Sequence, residues 1–254
     1  MDITTHALVL REVNYKEADK ILTVLSPDQG RMTVSARGCR RKNSRFAAGA
    51  QLLVYSELTL YQFRNRWAIR EANPEQLFWN VRSDVGKLSL ASYFAELAEL
   101  TAQEDLPAPE LTGLVLNSLY ALDQLDRPAE LIKSAFELRL MTISGFAPML
   151  DRCAVCGREP AEPMLHLREG VLHCRACRSG AGDGISMPLT PAALAAMRYV
   201  VNGNPKRLFS FRLPAEDLRR MSDVSEAFVL TQLERSFRTL DFYKQLQQAS
   251  VQIF

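Results

Sequence analysis

Two short segments, "CAVCG" and "CRAC", place Cys153, Cys156, Cys174 and Cys177 in a C-x2-C-x17-C-x2-C pattern. Each pair is a knuckle whose turn aims two sulfurs at one point, and Gly157 lets the first turn tightly. Four thiolates match the tetrahedral preference of Zn²⁺ and leave no open position for a reacting water. The pattern therefore predicts one structural zinc per chain, not a catalytic one. Between the pairs, "MLHLREGVLHC" reads as a hairpin turning at Arg168-Glu169-Gly170. His166 and His173 are read as hairpin residues, with His173, beside Cys174, the one alternative ligand. A thioredoxin-like redox motif would need a single pair in a βαβ context that the sequence lacks. The competing reading is a degenerate site whose cysteines serve as small buried hydrophobes.

The fifth cysteine, Cys39, stands apart, and the remaining composition is that of an ordinary globular chain of 254 residues, 47% hydrophobic and 24% charged. No apolar run approaches the roughly 18 residues that span a bilayer. The opening "MDITTHALVL" carries an acid and no basic n-region or cleavage signal. A cytoplasmic, nucleoid-associated protein without membrane contact or disulfides is the expectation. Charge is unevenly spread: residues 1–80 hold 12 Lys and Arg against 8 Asp and Glu, residues 81–127 hold 3 against 8, and residues 128–254 hold 16 against 13. A polyanion would be met by local patches.

The first 80 residues read as strands over 6–13, 20–26, 31–36, 52–63 and 67–72, rich in β-branched and aromatic residues. In the fourth, Leu52, Val54, Leu58 and Leu60 are assigned to one face, with Tyr55, Glu57, Thr59 and Tyr61 on the other. "SPDQG" is a hairpin connection in which Gly30 supplies a positive φ. Five short strands suit a small closed barrel of the OB type, with an SH3-like barrel as the competitor. From residue 84 the period turns helical, with helices over 84–105, 110–125 and 128–146. Gly145 ends the last of these, with Pro148 just beyond. After the cysteines, Thr190 is a plausible N-cap with Pro191 in the first turn, and Gly203 closes that helix. One short and one long helix then follow. The expected fold is a multidomain α+β chain. An N-terminal five-stranded OB-fold β-barrel (1–80) precedes an α-helical domain in two parts (81–150 and 186–254), into which a four-cysteine zinc module (151–185) is inserted.

"SARGCRRKNSRF" carries Arg37, Arg40, Arg41, Lys42 and Arg45 with no acid between Asp28 and Glu57. A run of this kind is commonly a solvated loop. Here it leaves the third strand of an OB-type barrel, where loops and one sheet face hold single strands. Tyr61 and Phe63, with Arg64 and Arg66 just beyond, are of the types that stack bases beside phosphates; packing in the barrel core is the other reading for the two rings. Four cations each on a phosphate would give single-strand affinity a log–log salt slope of about −3.

Enzymatic chemistry finds little support. The sequence has no G-x-x-x-x-G-K-[ST], H-E-x-x-H or G-x-S-x-G motif. The acid pairs Asp123/Asp126 and Glu96/Glu99 read as solvated helix faces, not as a nuclease metal site. Cys39, flanked by Arg37, Arg40 and Arg41, has neighbours that would lower a thiol pKa, but reads as a bystander.

"VLREVNYKEADKILTVLSPDQGRMTVSARGCRRKNSRF" resembles the N-terminal OB domain of the bacterial RecO recombination mediators. It shares their Tyr-x-Glu-x-Asp segment and their Ala-(Arg/Lys)-Gly turn with a basic Ser-Arg tail. "FELRLMTISGFAPMLDRCAVCG" is similar to the family's second hallmark, a helix ending in Gly-(Tyr/Phe)-x-Pro before a Cys-x-x-Cys-Gly. The likeness runs from about residue 6 through Cys177. It implies a non-enzymatic DNA repair protein that binds single- and double-stranded DNA and anneals complementary strands. With RecR, such proteins help load recombinase onto gaps coated by single-strand-binding protein, whose C-terminal tail is a further partner. The basic strip becomes the prime DNA contact, the four cysteines the zinc ligands, and Lys206 and Arg207, with Arg219 and Arg220, additional basic pairs. The alternative is a generic OB-plus-zinc nucleic-acid module without mediator activity.

Overall fold

The computed structural model describes residues 2–64, 66–180 and 182–251. Its chain divides into two compact units, residues 1–124 with 237–254, and residues 125–236.

The first unit begins with five strands: β1 (Asp2–Tyr15), β2 (Asp19–Ser26), β3 (Gly30–Ala36), β4 (Tyr55–Phe63) and β5 (Arg66–Gln76). They close into a barrel in the order β1-β2-β3-β5-β4, β4 returning to pair with β1. Closure uses a short parallel contact, Val34 opposite Trp67 and Ser35 opposite Ala68. This is the expected OB-type barrel, and a barrel of this kind leaves few open edges. Its interior is filled by Val9, Leu22, Val24, Val34, Leu58, Leu60 and Ile69, with Met32 and Cys39. The alternation expected in the fourth strand holds for Leu58 and Leu60, but Leu52 and Val54 precede β4. Leu53, at a φ of 58°, turns the chain just before the strand starts.

Gly30 shows why the β2–β3 turn carries glycine. Its φ is +68°, and a Cβ placed there would lie 1.9 Å from the Leu106 carbonyl oxygen. The segment after the second helix runs beside β3 at this point, with Arg31 N donating to Gln103 O at 3.1 Å and Asp105 N donating to Arg31 O at 3.3 Å.

Three helices follow in this unit: α1 (Trp79–Ser83), α2 (Val85–Thr101) and α3 (Pro109–Gln124). The sequence reading missed α1, five residues long after a left-handed Phe78. Asp84 caps α2 by accepting from Lys87 N. Of the four acids read as solvated faces, Asp126 is exposed, while Glu96, Glu99 and Asp123 are structural anchors. Glu96 accepts from Thr239 Oγ1 at 2.5 Å, Glu99 accepts from Arg11 Nε at 2.9 Å, and Asp123 accepts from Val81 N at 3.1 Å.

In the second unit, α4 (Ala129–Ile143) ends as expected: Gly145 takes a φ of 86° and Phe146 N reaches back to Met141 O at 2.8 Å, a Schellman closure. A three-stranded sheet, β6 (Pro163–His166), β7 (Val171–Cys174) and β8 (Ser186–Pro188), has β6 at its centre. α5 (Pro191–Asn202) starts at the Thr190 cap, whose hydroxyl accepts from Ala193 N. Then come α6 (Ala215–Gln232) and, back in the first unit, α7 (Arg238–Val251). Both are full-length helices, where the sequence reading expected one short and one long. No helix among the described residues is long and apolar enough to cross a membrane.

Candidate metal centre and nucleic-acid interface

The β6–β7 hairpin and the 3-10 turn at Arg175–Gly180 bring the two cysteine pairs together. The Sγ atoms of Cys153, Cys156, Cys174 and Cys177 all lie within 4.8 Å of one another, with Cys156 and Cys174 at 3.8 Å. A tetrahedral ion with bonds of about 2.3 Å separates its sulfurs by about 3.8 Å, so the donor set fits. The buried Cys153 Sγ accepts from the backbone N–H of Cys174 at 3.3 Å and of Cys156 at 3.5 Å. Burial pushes this thiol up, but the N–H donors outweigh it and bring its pKa down to about 6. Cys174 is pushed up to about 12, by burial first and then by hydrogen bonding and charge from its neighbouring cysteines. Four thiolates this close cannot all ionise without a cation among them.

His173 is not a ligand. Its Nδ1 donates to the Cys174 carbonyl at 2.9 Å and its Nε2 accepts from Ser186 Oγ at 2.8 Å. It thus ties β7 to β8 and holds the cysteine backbone in place. His166 Nδ1 accepts from Glu169 N at 3.1 Å and supports the hairpin turn, where Gly170 has a φ of 64°.

The second site lies in the first unit. A cleft of about 1250 Å³ runs over β2 and β3, with the β1–β2 loop (Tyr15, Lys16) on one side and the β4–β5 turn (Gln62, Phe63, Arg64, Arg66) on the other. This is the face, bounded by the first and last inter-strand loops, through which OB barrels hold single strands. Four of the residues singled out from sequence line it: Arg37, Phe63, Arg64 and Arg66. Tyr15, Lys16 and Trp67 line it too and were missed. For Tyr15 and Lys16 the signal was the aromatic-cation pair in "NYK" where the first strand ends. Asp19, Glu104 and Asp105 add negative charge, but Asp19 Oδ1 is occupied by Gly38 N at 2.7 Å.

The rest of the basic strip does not line the cleft. Arg40 donates to the Glu17 carbonyl at 3.1 Å, and its backbone N to Ala18 O at 3.0 Å, so it pins the β3–β4 segment to the β1–β2 loop. Arg41, Lys42 and Arg45 are exposed, and no ion pair holds them among the described residues. Tyr61 is half-buried outside the cleft, with the Arg70 guanidinium 5.4 Å from its ring centre. Lys206 and Arg207 sit on an exposed 3-10 turn of the other unit. Cys39 is buried, and burial raises its pKa, outweighing the lowering from Lys20 and Arg40, in keeping with a bystander thiol.

The model of the family described as "Recombination protein O N terminal" matches residues 1–78, and that of "Recombination protein O C terminal" matches residues 82–241. The chain belongs to the RecO family. Proteins named "DNA repair protein RecO" are similar over nearly their full length. The one from Acetivibrio thermocellus is 32% identical over 96% of this chain and 97% of its own. The one from Desulforudis audaxviator is 33% identical over 95% and 96%, and that of Alkaliphilus metalliredigens 28% over 97% and 100%. Membership in the RecO family supports a role in DNA repair and recombination.

Proposed function

We propose that this protein is a non-enzymatic recombination mediator that binds single- and double-stranded DNA and anneals complementary strands. With RecR, it would help load recombinase onto gaps coated by single-strand-binding protein. The observation that carries this reading is the aromatic and cationic cleft on the ligand-holding face of the barrel. Annealing needs no bond chemistry, only neutralised phosphates and bases left free to pair. Phosphate contacts position a strand without reading it, which suits exposed cations such as Arg41, Lys42, Arg45 and Arg66. Lys206 and Arg207 offer a secondary basic patch, and Tyr61 a peripheral ring.

The four cysteines would hold Zn²⁺, which when bound supplies fixed tetrahedral geometry and no open coordination position. The chain's own part is to set the knuckles: N–H groups aimed at Cys153 and His173 bracing the Cys174 carbonyl. For the acidic, apolar tail of single-strand-binding protein, support comes from a groove of about 330 Å³ in the first unit. Val85, Leu88 and Phe242 line it, with Arg238 its lining cation.

The test is annealing, without ATP, of complementary oligonucleotides coated with single-strand-binding protein. Wild type would be compared with Arg41→Glu/Lys42→Glu and with Arg64→Glu/Arg66→Glu. Arg40 is left intact because it braces two loops. Annealing by wild type with loss in either folded variant is the expected result. No annealing by wild type would overturn the mediator reading and leave a generic DNA-binding module. Equal annealing by all three would move the site away from the barrel.

A further inference from the structure

Phe63 ends β4 and is 43% exposed. Exposure alone does not set it apart, since Phe146 and Phe242 are as open, but Phe63 lines the cleft and has cations over its ring. The Arg37 guanidinium stands 4.8 Å from the ring centre and that of Arg64 stands 5.3 Å from it. Neither guanidinium forms an ion pair or a hydrogen bond to a carboxylate among the described residues. The backbone that carries the ring is held in place, because Phe63 pairs with Arg66 in the ladder and the chain turns at Arg64 with a φ of 48°. Across the same cleft, Lys16 covers Tyr15 in a similar way at 5.4 Å.

We infer that Phe63 is a base-stacking residue: an unpaired nucleobase takes the place of one guanidinium on its face, and the released cation turns to the adjacent phosphate. The inference rests on the cleft being the DNA site and adds what that cleft selects. A cation over an exposed ring is a weak contact, and a stacked base exceeds it. The released cation is not wasted, since phosphates flank every base. In a duplex both faces of each base are already stacked, so the ring has nothing to receive. Phe63 therefore makes the cleft prefer single strands over duplex, while the exposed cations outside it treat both alike.

The experiment measures affinity, by fluorescence anisotropy, for oligo(dT), for an abasic deoxyribose-phosphate strand of the same length, and for a duplex. Phe63→Ala should lose about tenfold on oligo(dT) and leave the abasic strand and the duplex unchanged. Phe63→Tyr should restore oligo(dT) binding, since it keeps the π-face. Because the ring is exposed, both variants should fold, and circular dichroism would establish it. No loss on oligo(dT), equal loss on the abasic strand, or failure of Tyr to restore binding would each overturn the stacking role. A wild type that binds neither strand would overturn the cleft reading itself, and the inference with it.

Discussion

Lys133 Nζ lies 3.0 Å from Glu137 Oε1, one turn along α4, with both side chains sealed from water. Glu226 of α6 approaches the same ammonium at 2.8 Å, and Ser225 Oγ donates to the other Glu137 oxygen at 2.8 Å. Charges this deep are stable only as a set. Lys133→Ala should destabilise the protein by roughly 3–5 kcal/mol in urea unfolding. Lys133→Met combined with Glu137→Leu should cost less, because neither of the two sealed side chains then carries a charge and the remaining carboxylate, Glu226, is partly open to water. A single variant as stable as wild type would count against a structural role for the cluster.

The same cluster makes stability depend on alkaline pH. Burial pulls the Lys133 ammonium down, but Glu137 and Glu226 outweigh it and hold its pKa above the ordinary lysine value. The folded state binds this proton more tightly than the unfolded chain does. Its contribution is complete below the unfolded lysine value of about 10.4 and fades as pH climbs through the raised folded value. The stability gap between wild type and Lys133→Met should therefore narrow as pH rises past the ordinary lysine value of about 10.4. A gap that stays constant would show that the ammonium's charge is immaterial.

Metal removal should act on stability before function. Chelation at neutral pH, or Cys153→Ser, should lower the melting temperature of the second unit and open it to proteolysis, with about one Zn²⁺ lost per chain. Unchanged melting in a fully demetallated protein would argue that the cysteines merely pack.

Gly30→Ala combines a left-handed backbone with a clash against the Leu106 carbonyl, which belongs to backbone and cannot swing aside. A loss of roughly 2–3 kcal/mol is expected, read as a lower thermal midpoint. The Gly113→Ala control meets nothing within 4 Å and should be neutral or stabilising.

Cys39 should resist alkylation. Its sulfur sits in the barrel core with a raised pKa, so iodoacetamide at pH 8 should modify it only after unfolding, as peptide mass mapping would show. Rapid modification of the native protein would mean that the surrounding arginines activate it after all.

The barrel was legible in the sequence because alternation and hairpin signals are local: Gly30, Leu58 and Leu60 each declare their role within a few residues. The cysteine centre was legible because its spacing encodes geometry directly. What escaped depends on distant partners. Lys133 and Glu137 look like any exposed i,i+4 pair until α6 covers them. Glu96 looks solvated until Thr239, far along the chain, donates to it. The cleft was only half visible, since Tyr15 and Phe63 line one space only after β3 has met β5 and the barrel has closed.

The partnership of Tyr93 and Phe237, rings 5.7 Å apart and both fully buried, has a consequence for biosynthesis. α2 emerges from the ribosome early, yet the face that Phe237 and α7 cover stays open while residues 125–236 are made. Through that interval the barrel-bearing unit is an unfinished body with an exposed seam. The cysteine-bearing unit can mature first, although it begins later. Completion of the older half thus waits on the last helix, and a stop codon before Phe237 would strand the barrel beside a bare apolar surface.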